Sequence, residues 1–328
     1  MSAYDCAMLD LDGVVYRGPR AVDGVPEVLA RARAGGMHLA FVTNNAARTP
    51  ASVAAHLAEL GVRAQAADVV TSAQAAAHEL AQLVPAASTV LVVGGAGLEA
   101  AVTELGFVPA KSRAKQPSAV VQGFDRSIGW AELAEAAYAV QSGVPWVASN
   151  LDLTMPTADG IAPGNGTLVD AVAAAVGRRP DTVAGKPFRP LFDETLRRTG
   201  SCRPLVVGDR LDTDIAGANR YGADALMVMT GVTDVQALCV AAVNRPSYVS
   251  WTLAGLLDPH GTPTPADDGW ELGGWRVVVH DGEFVVPSSG QSADDGLRAA
   301  VAAAWGWLDQ HPGRSIGVGG LGPLGQHR

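Results

Sequence analysis

The chain has 328 residues, 48% of them hydrophobic and 17% charged, with a formal net charge of −9. That length allows about two or three domains, and the apolar fraction argues against disorder over most of it. The acidic balance argues against nucleic acid or an anionic membrane as a partner, so an anionic ligand must find its positive counterpart locally, in a lysine, a metal ion or backbone N–H groups.

The three cysteines, Cys6, Cys202 and Cys239, are odd in number and widely spaced, which fits a reducing cytoplasm. No charged segment followed by an apolar core opens the chain, and no apolar run is long enough to span a bilayer, so neither a signal peptide nor a membrane span is expected.

In chain order, "CAMLDL" reads as a strand, "VDGVPEVLARARAG" as a helix closed by glycine, and "MHLAFVT" as a strand. "TPASVAAHLAELGV" is a helix with Thr49 as N-cap, Pro50 at its first position and Gly61 beyond its end. The alternation continues through "STVLVVG", "GLEAAVTELG", "SAVVQGF", "AELAEAAYAVQSG" and "PWVASN", then "TLVDAVAAAVG", "PLFDETLRRTG", "PLVVGD", "AGANRYGA" and "DALMVMTG". Strands apolar throughout, alternating with helices, predict parallel sheets covered on both faces, and their number predicts two α/β domains. "DPHGTPTPADDG" (258–269) reads as a linker. Beyond it a β-hairpin turning at Asp281-Gly282 and a helix over "DDGLRAAVAAAWGWLDQH" predict a small appendage, with Trp270, Trp275, Trp305 and Trp307 as its core. The glycine-rich end is expected to be disordered.

Several strands end in polar groups. Asp10 and Asp12, two apart, point the same way at the carboxyl end of the first strand, where ligands bind to open parallel sheets, and Gly13 lets the chain turn away. Alone, D-x-D-G reads equally as a turn that ends a strand. "FVTNN" sets Thr43, Asn44 and Asn45 at a strand end, a hydroxyl, amides and N–H groups suited to phosphate. "AGKP" supplies Lys186, and "VVGDRLDTDI" supplies Asp209, Asp212 and Asp214, one of which could equally cap a helix. Two acidic strand ends read as a hard-cation site for Mg²⁺, with the threonine and lysine left for an anion.

As an ordered set, "DLDG", "VTNN", "AGKP" and "GDRLDTD" resemble the four motifs of the haloacid dehalogenase superfamily of phosphatases, over roughly residues 5 to 255. The resemblance implies a Rossmann-like α/β core (1–71 and 183–257), a large inserted α/β cap of class IIA type (72–182), a small C-terminal α+β domain (258–312) and a disordered tail (313–328). It implies Asp10 as the nucleophile that becomes an aspartyl-phosphate and Asp12 as general acid, then base. Mg²⁺ would be held by Asp10, the Asp12 carbonyl and Asp209, with Asp214 near the metal's waters. Thr43, Asn44, Asn45 and Lys186 would bind the phosphoryl group. Resemblance within the family, in "VVTSAQ" and "PGNG", points to glycerol 3-phosphate as substrate; pyridoxal phosphate or a nucleotide monophosphate is the alternative.

In the cap, "ASNLDLTMPTADGIAPGNG" is the most polar stretch, and Asn150, Asp152 and Asp159 are candidates for reaching a polyol, or else form Asx turns. "VLVVGGAGLEA" fits a loose dinucleotide fingerprint at Gly94–Ala100, but no acid follows about 20 residues on. The appendage resembles part of an acyl-CoA-dependent N-acetyltransferase. Arg314, Gly317 and Gly319 have an R-x-x-G-x-G spacing, yet "LGPLGQHR" cannot make the helix that should follow. A flap or a contact in a homo-oligomer is the expected role. His38, His56 and His78 read as packing or surface residues.

Overall fold

The computed structural model describes residues 3–157 and 159–322. The chain divides into two compact units, Met1–His38 with Arg203–Arg328, and Leu39–Cys202.

In the first unit four parallel strands lie in the order Tyr248–Ser250, Asp224–Val228, Pro204–Gly208 and Cys6–Leu9. Apart from the residue that opens three of them, every position is buried, because these runs are apolar on both faces. Leu9 pairs with Val207, and Val207 with Leu226, so the carboxyl ends are level and Asp10 and Asp209 leave the sheet at one edge.

The C-terminal segment belongs to this unit. An antiparallel sheet of Thr264–Ala266, Gly269–Leu272, Trp275–His280 and Glu283–Ser288 packs on helix Ala293–Gln310. The hairpin turns at Asp281-Gly282 as expected, with φ of 49° and 83°, a type I′ turn whose twist matches the strands it joins. Trp275 is wholly buried and its Nε1 donates to Ser292 O at 2.7 Å. Trp270, Trp305 and Trp307 are only half-buried, so the expected four-tryptophan core reduces to Trp275 among smaller apolar residues such as Val277, Leu297 and Ala300.

The helix is fastened to the residues around the last parallel strands. Trp305 Nε1 donates to Leu238 O at 3.0 Å, and buried Arg298 donates from Nε to Val249 O at 3.2 Å. Asp294 accepts from Ser250 Oγ at 2.9 Å and from Trp251 N at 2.7 Å, and Arg245 pairs with Asp309 at 2.8 Å.

The tail differs from the expectation of disorder as far as it is described. Gly317 N donates to Gly282 O at 2.8 Å, Ile316 and Leu321 are buried, and Gly319–Leu321 forms a 3-10 turn. The glycines serve close approach rather than freedom: a Cβ on Gly320 would collide with the Phe284 carbonyl, and one on Gly317 with the Glu283 carboxylate. That carboxylate also stands where the R-x-x-G-x-G spacing would need a pyrophosphate. Residues 323–328 of the expected tail lie outside the described residues.

In the second unit five parallel strands lie in the order Thr182–Val183, Trp146–Ala148, Ala119–Gln122, Thr89–Val93 and Val108–Ala110. Wholly buried Trp146 sits in a cluster with Leu91, Val120, Val140 and Val169. Strand His38–Thr43 pairs in parallel with Val69–Thr71, which sets Thr43 beside Thr71. Thr71 caps helix Ser72–Leu83, and Thr49 caps Pro50–Glu59 as expected, accepting from Ser52 N at 3.2 Å. A hairpin of Thr154–Thr157 and Gly160–Pro163 stands within the most polar stretch of the expected cap.

Gly282 tests the hairpin reading. Alanine there must hold φ near +83° and bring its Cβ to 2.8 Å from Ser315 O. Gly282→Ala is expected to lower stability by at least ~1–2 kcal/mol, read by denaturant unfolding.

Candidate active site

The first unit gathers acids. Asp10 N donates to Val207 O at 2.9 Å, which fixes the strand end, and Asp209 follows directly on Pro204–Gly208. Asp209 is wholly buried and Asp214 1% exposed, and one carboxylate oxygen each from Asp10, Asp209 and Asp214 lies within 4.8 Å of the others. Asp12 is exposed just beyond, where Gly13, with φ of 88°, turns the chain and donates to Tyr16 O at 2.8 Å.

Asp214 reaches this cluster because Leu211–Ile215 winds as one π-helical turn, a distortion common at functional sites. Its Oδ2 accepts from Arg210 N at 3.2 Å, and a Cβ on Gly208 would collide with its carboxylate. Asp212 points the other way and pairs with the Arg210 guanidinium at 2.7 Å. Burial acts to raise its pKa, but that guanidinium outweighs burial and holds the carboxyl below its ordinary range.

The loop after Asp224–Val228 completes the cluster and was missed from sequence. Val232 N donates to Asp209 Oδ2 at 2.6 Å, Thr233 N to Asp209 O at 3.1 Å, and Thr230 Oγ1 to Gly13 O at 2.6 Å. A Cβ on Gly231 would collide with the Asp209 carboxylate, and one on Gly13 would lie 2.5 Å from its Oδ2. "TGVT" after an apolar strand repeats the grammar of the other motifs, and that was the signal available.

Three carboxylates this close repel one another. At an effective dielectric of about 20, two unit charges 4 Å apart cost about 4 kcal/mol, so the ionised trio calls for a cation. Hard anionic oxygens at a buried edge fit Mg²⁺, with Asp10, Asp209 and Asp214 as the donors the geometry offers.

The second unit holds the other polar strand ends. Thr43 is buried and its Oγ1 accepts from Asn45 N at 3.0 Å. Asn45 is exposed, and its Oδ1 accepts from Ala47 N at 2.9 Å in an Asx turn. Lys186 is 4% exposed and its ammonium donates to Val42 O at 3.3 Å, so it is not a surface charge. Asn44 lies between them, with its side chain bonded to the Lys186 backbone and to Asp152.

Of the cap candidates, Asn150 is buried, donates to Asn44 O at 2.7 Å and accepts from Asp152 N at 3.1 Å, an Asx turn. Asp159 is exposed in the hairpin turn, where its N–H donates to Thr157 Oγ1 at 3.3 Å. The glycine turn at 94–100 has a structural cause. Gly97 N donates to Ala47 O at 3.0 Å, and a Cβ on Gly97 would lie 2.6 Å from Ala46 O. The first turn of helix Ala96–Glu104 therefore meets carbonyls of its own chain where a dinucleotide would need to bring phosphate.

Residues 7–108 match the model of the family described as haloacid dehalogenase-like hydrolase, and residues 183–256 a second model described as HAD-hydrolase-like. The D-glycerol 3-phosphate phosphatase of Mycobacterium tuberculosis is 43% identical over 312 residues, 92% of this chain and 86% of that one. The acid sugar phosphatase of Staphylococcus aureus is 34% identical over 238 residues, 72% of this chain and 90% of that one. A crystal structure of a glycerol phosphate phosphatase from M. tuberculosis in complex with magnesium matches with a TM-score of 0.84 at 40% identity, covering 99% of this chain and 97% of that one.

Asp209→Asn is expected to weaken Mg²⁺ binding about 100-fold in titration calorimetry, the upper end of the roughly 10–100-fold cost of losing even a group that only supports a metal ligand. Gly231→Ala moves the same carboxylate and weakens binding in the same direction.

Proposed function

The chain belongs to the haloacid dehalogenase-like hydrolases, and from that premise we propose that it hydrolyses a small phosphate monoester, glycerol 3-phosphate first, through a phosphorylated Asp10. The observation that carries the reading is the meeting of Asp10 with Asp209 and Asp214 at the carboxyl edge of a parallel sheet. The named substrate of the relative 43% identical to this chain supports glycerol 3-phosphate. Pyridoxal phosphate or a nucleotide monophosphate would use the same chemistry.

In this reading the Asp10 carboxylate attacks phosphorus, and Asp12 gives its proton to the departing alkoxide oxygen. Asp12 then takes a proton from water, which attacks the aspartyl-phosphate, releases phosphate and restores Asp10. Asp12's exposure, with Gly13 turning the chain behind it, suits a group that must meet both leaving group and water. Phosphoryl transfer spreads charge over three oxygens, so positioning and electrostatics do most of the work. Thr43, the Asn44 N–H and Lys186 would take those oxygens, with Asn45 shaping the same turn. Asp10, Asp209, Asp214 and the Asp12 carbonyl would hold Mg²⁺, which when bound offsets repulsion between carboxylate and phosphate dianion. Residues 72–182 serve as the cap that selects the leaving group.

Among the described residues no helix is long and apolar enough to cross a membrane. The cytoplasm is the proposed compartment: Cys6, Cys202 and Cys239 are free thiols.

Phosphate release from a panel of esters with Mg²⁺ tests the reading. Wild type is expected to favour glycerol 3-phosphate, and Asp10→Asn to lose turnover while still binding the ester. Retained turnover in that variant would remove Asp10 as nucleophile. EDTA is expected to silence the enzyme and Mg²⁺ to restore it; activity indifferent to both would remove the metal.

A further inference from the structure

The side chain of Asn44 makes bonds that a backbone contact to phosphate does not require. Its Oδ1 accepts from Lys186 N at 2.7 Å and its Nδ2 donates to Lys186 O at 3.0 Å, so one amide engages both backbone groups of the lysine, as a neighbouring strand would. Nδ2 also donates to the Asp152 carboxylate, at 3.1 Å to Oδ1 and 3.2 Å to Oδ2. The Asn44 carbonyl accepts from Ser72 Oγ at 2.5 Å and Asn150 Nδ2 at 2.7 Å, which holds the residue from behind. Glycine at 185 makes the approach possible, because a Cβ there would lie 2.6 Å from Asn44 Oδ1.

We propose that Asn44 and Asp152 are positioning residues for Lys186: the Asn44 amide clamps the lysine backbone, and the Asp152 carboxylate sets which way the amide faces. Asp152 as carboxylate only accepts, so it draws the NH₂ toward itself and leaves Oδ1 for the Lys186 N–H. A reversed amide would set its oxygen against two acceptors, Asp152 and the Lys186 carbonyl. With its backbone held at both groups and its ammonium bonded to Val42 O, the buried lysine offers its charge at one place. Asp152 then acts through Asn44 rather than by contact with a polyol. This inference rests on the reading of Lys186 as a phosphoryl-binding residue.

A double-mutant cycle tests it. Asn44→Ala keeps the backbone N–H but removes the clamp, and is expected to lower kcat/KM for glycerol 3-phosphate about 100-fold, the scale of a misplacement near 1 Å. In a Lys186→Met background the same change should cost less than about 3-fold, because its target is gone. Inorganic phosphate binding with Mg²⁺, measured by calorimetry, should show the same non-additivity. Asn44→Asp sets a carboxylate against both Asp152 and the Lys186 carbonyl and should be worse than Asn44→Ala, while adding Asp152→Asn relieves the first of these clashes and should recover at least about 10-fold, since close pairs couple. That rescue, with thermal unfolding alongside, separates positioning from a variant that merely folds poorly. A full 100-fold loss in the Lys186→Met background, near-wild-type activity of Asn44→Ala, or no rescue would overturn the clamp. A wild type that turns over no ester yet shows the cycle in phosphate binding would overturn the hydrolase reading and leave the clamp standing.

Discussion

Repulsion among the carboxylates of Asp10, Asp209 and Asp214 is the constraint around which the first unit is arranged. Their oxygens lie within 4.8 Å of one another at an edge where two of the three residues are buried. Left to itself a chain would spread them, so the surroundings must forbid that. Gly208 leaves room for Asp214, Gly13 and Gly231 leave room for Asp209, and the N–H of Val232 holds Asp209 by a bond of 2.6 Å. Asp214 enters on the π-turn, and Arg210 N donates to its carboxylate. The apolar strands behind supply rigidity, since a close-packed interior does not yield to a local push.

The second unit solves the opposite problem, a buried cation. Lys186 is removed from water but not left in an apolar setting; the Val42 carbonyl takes its ammonium, the Asn44 amide its backbone, and the Asp152 carboxylate that amide, all within the same unit. Asn44 ties segments that begin at Thr43, Ser72, Asn150 and Lys186 into one network. Polar groups that satisfy one another in a low-dielectric interior make such a network stiff.

Much of this was legible in the sequence because it is local. Apolar runs ending in polar groups marked the strand ends, Thr49-Pro50 marked a helix start, and Asp281-Gly282 marked a hairpin, each within a few residues. What was not legible depends on distant partners. Asn44 meets Asp152 108 positions later and Lys186 142 positions later, and no periodicity records such a pairing. The same holds for Val232 on Asp209. Glycine is ambiguous in sequence: at Gly97 its spacing fits a phosphate turn although it serves the approach of the chain's own carbonyls, and in the tail it suggests freedom where backbones touch. Composition reports that a side chain is missing and is silent about what fills the space.

The fastening of helix Ala293–Gln310 also bears on how this chain can be altered. A linker rich in proline and glycine invites the cut at residue 258. Yet the carbonyls of Leu238 and Val249, the N–H of Trp251 and the hydroxyl of Ser250 all find their partners on the far side of that cut. A chain ended there would carry open hydrogen-bond valences and a stripped flank beside its last parallel strands. The segment works as a rivet rather than a passenger, and a chain shortened at that point would need something else to answer the same groups.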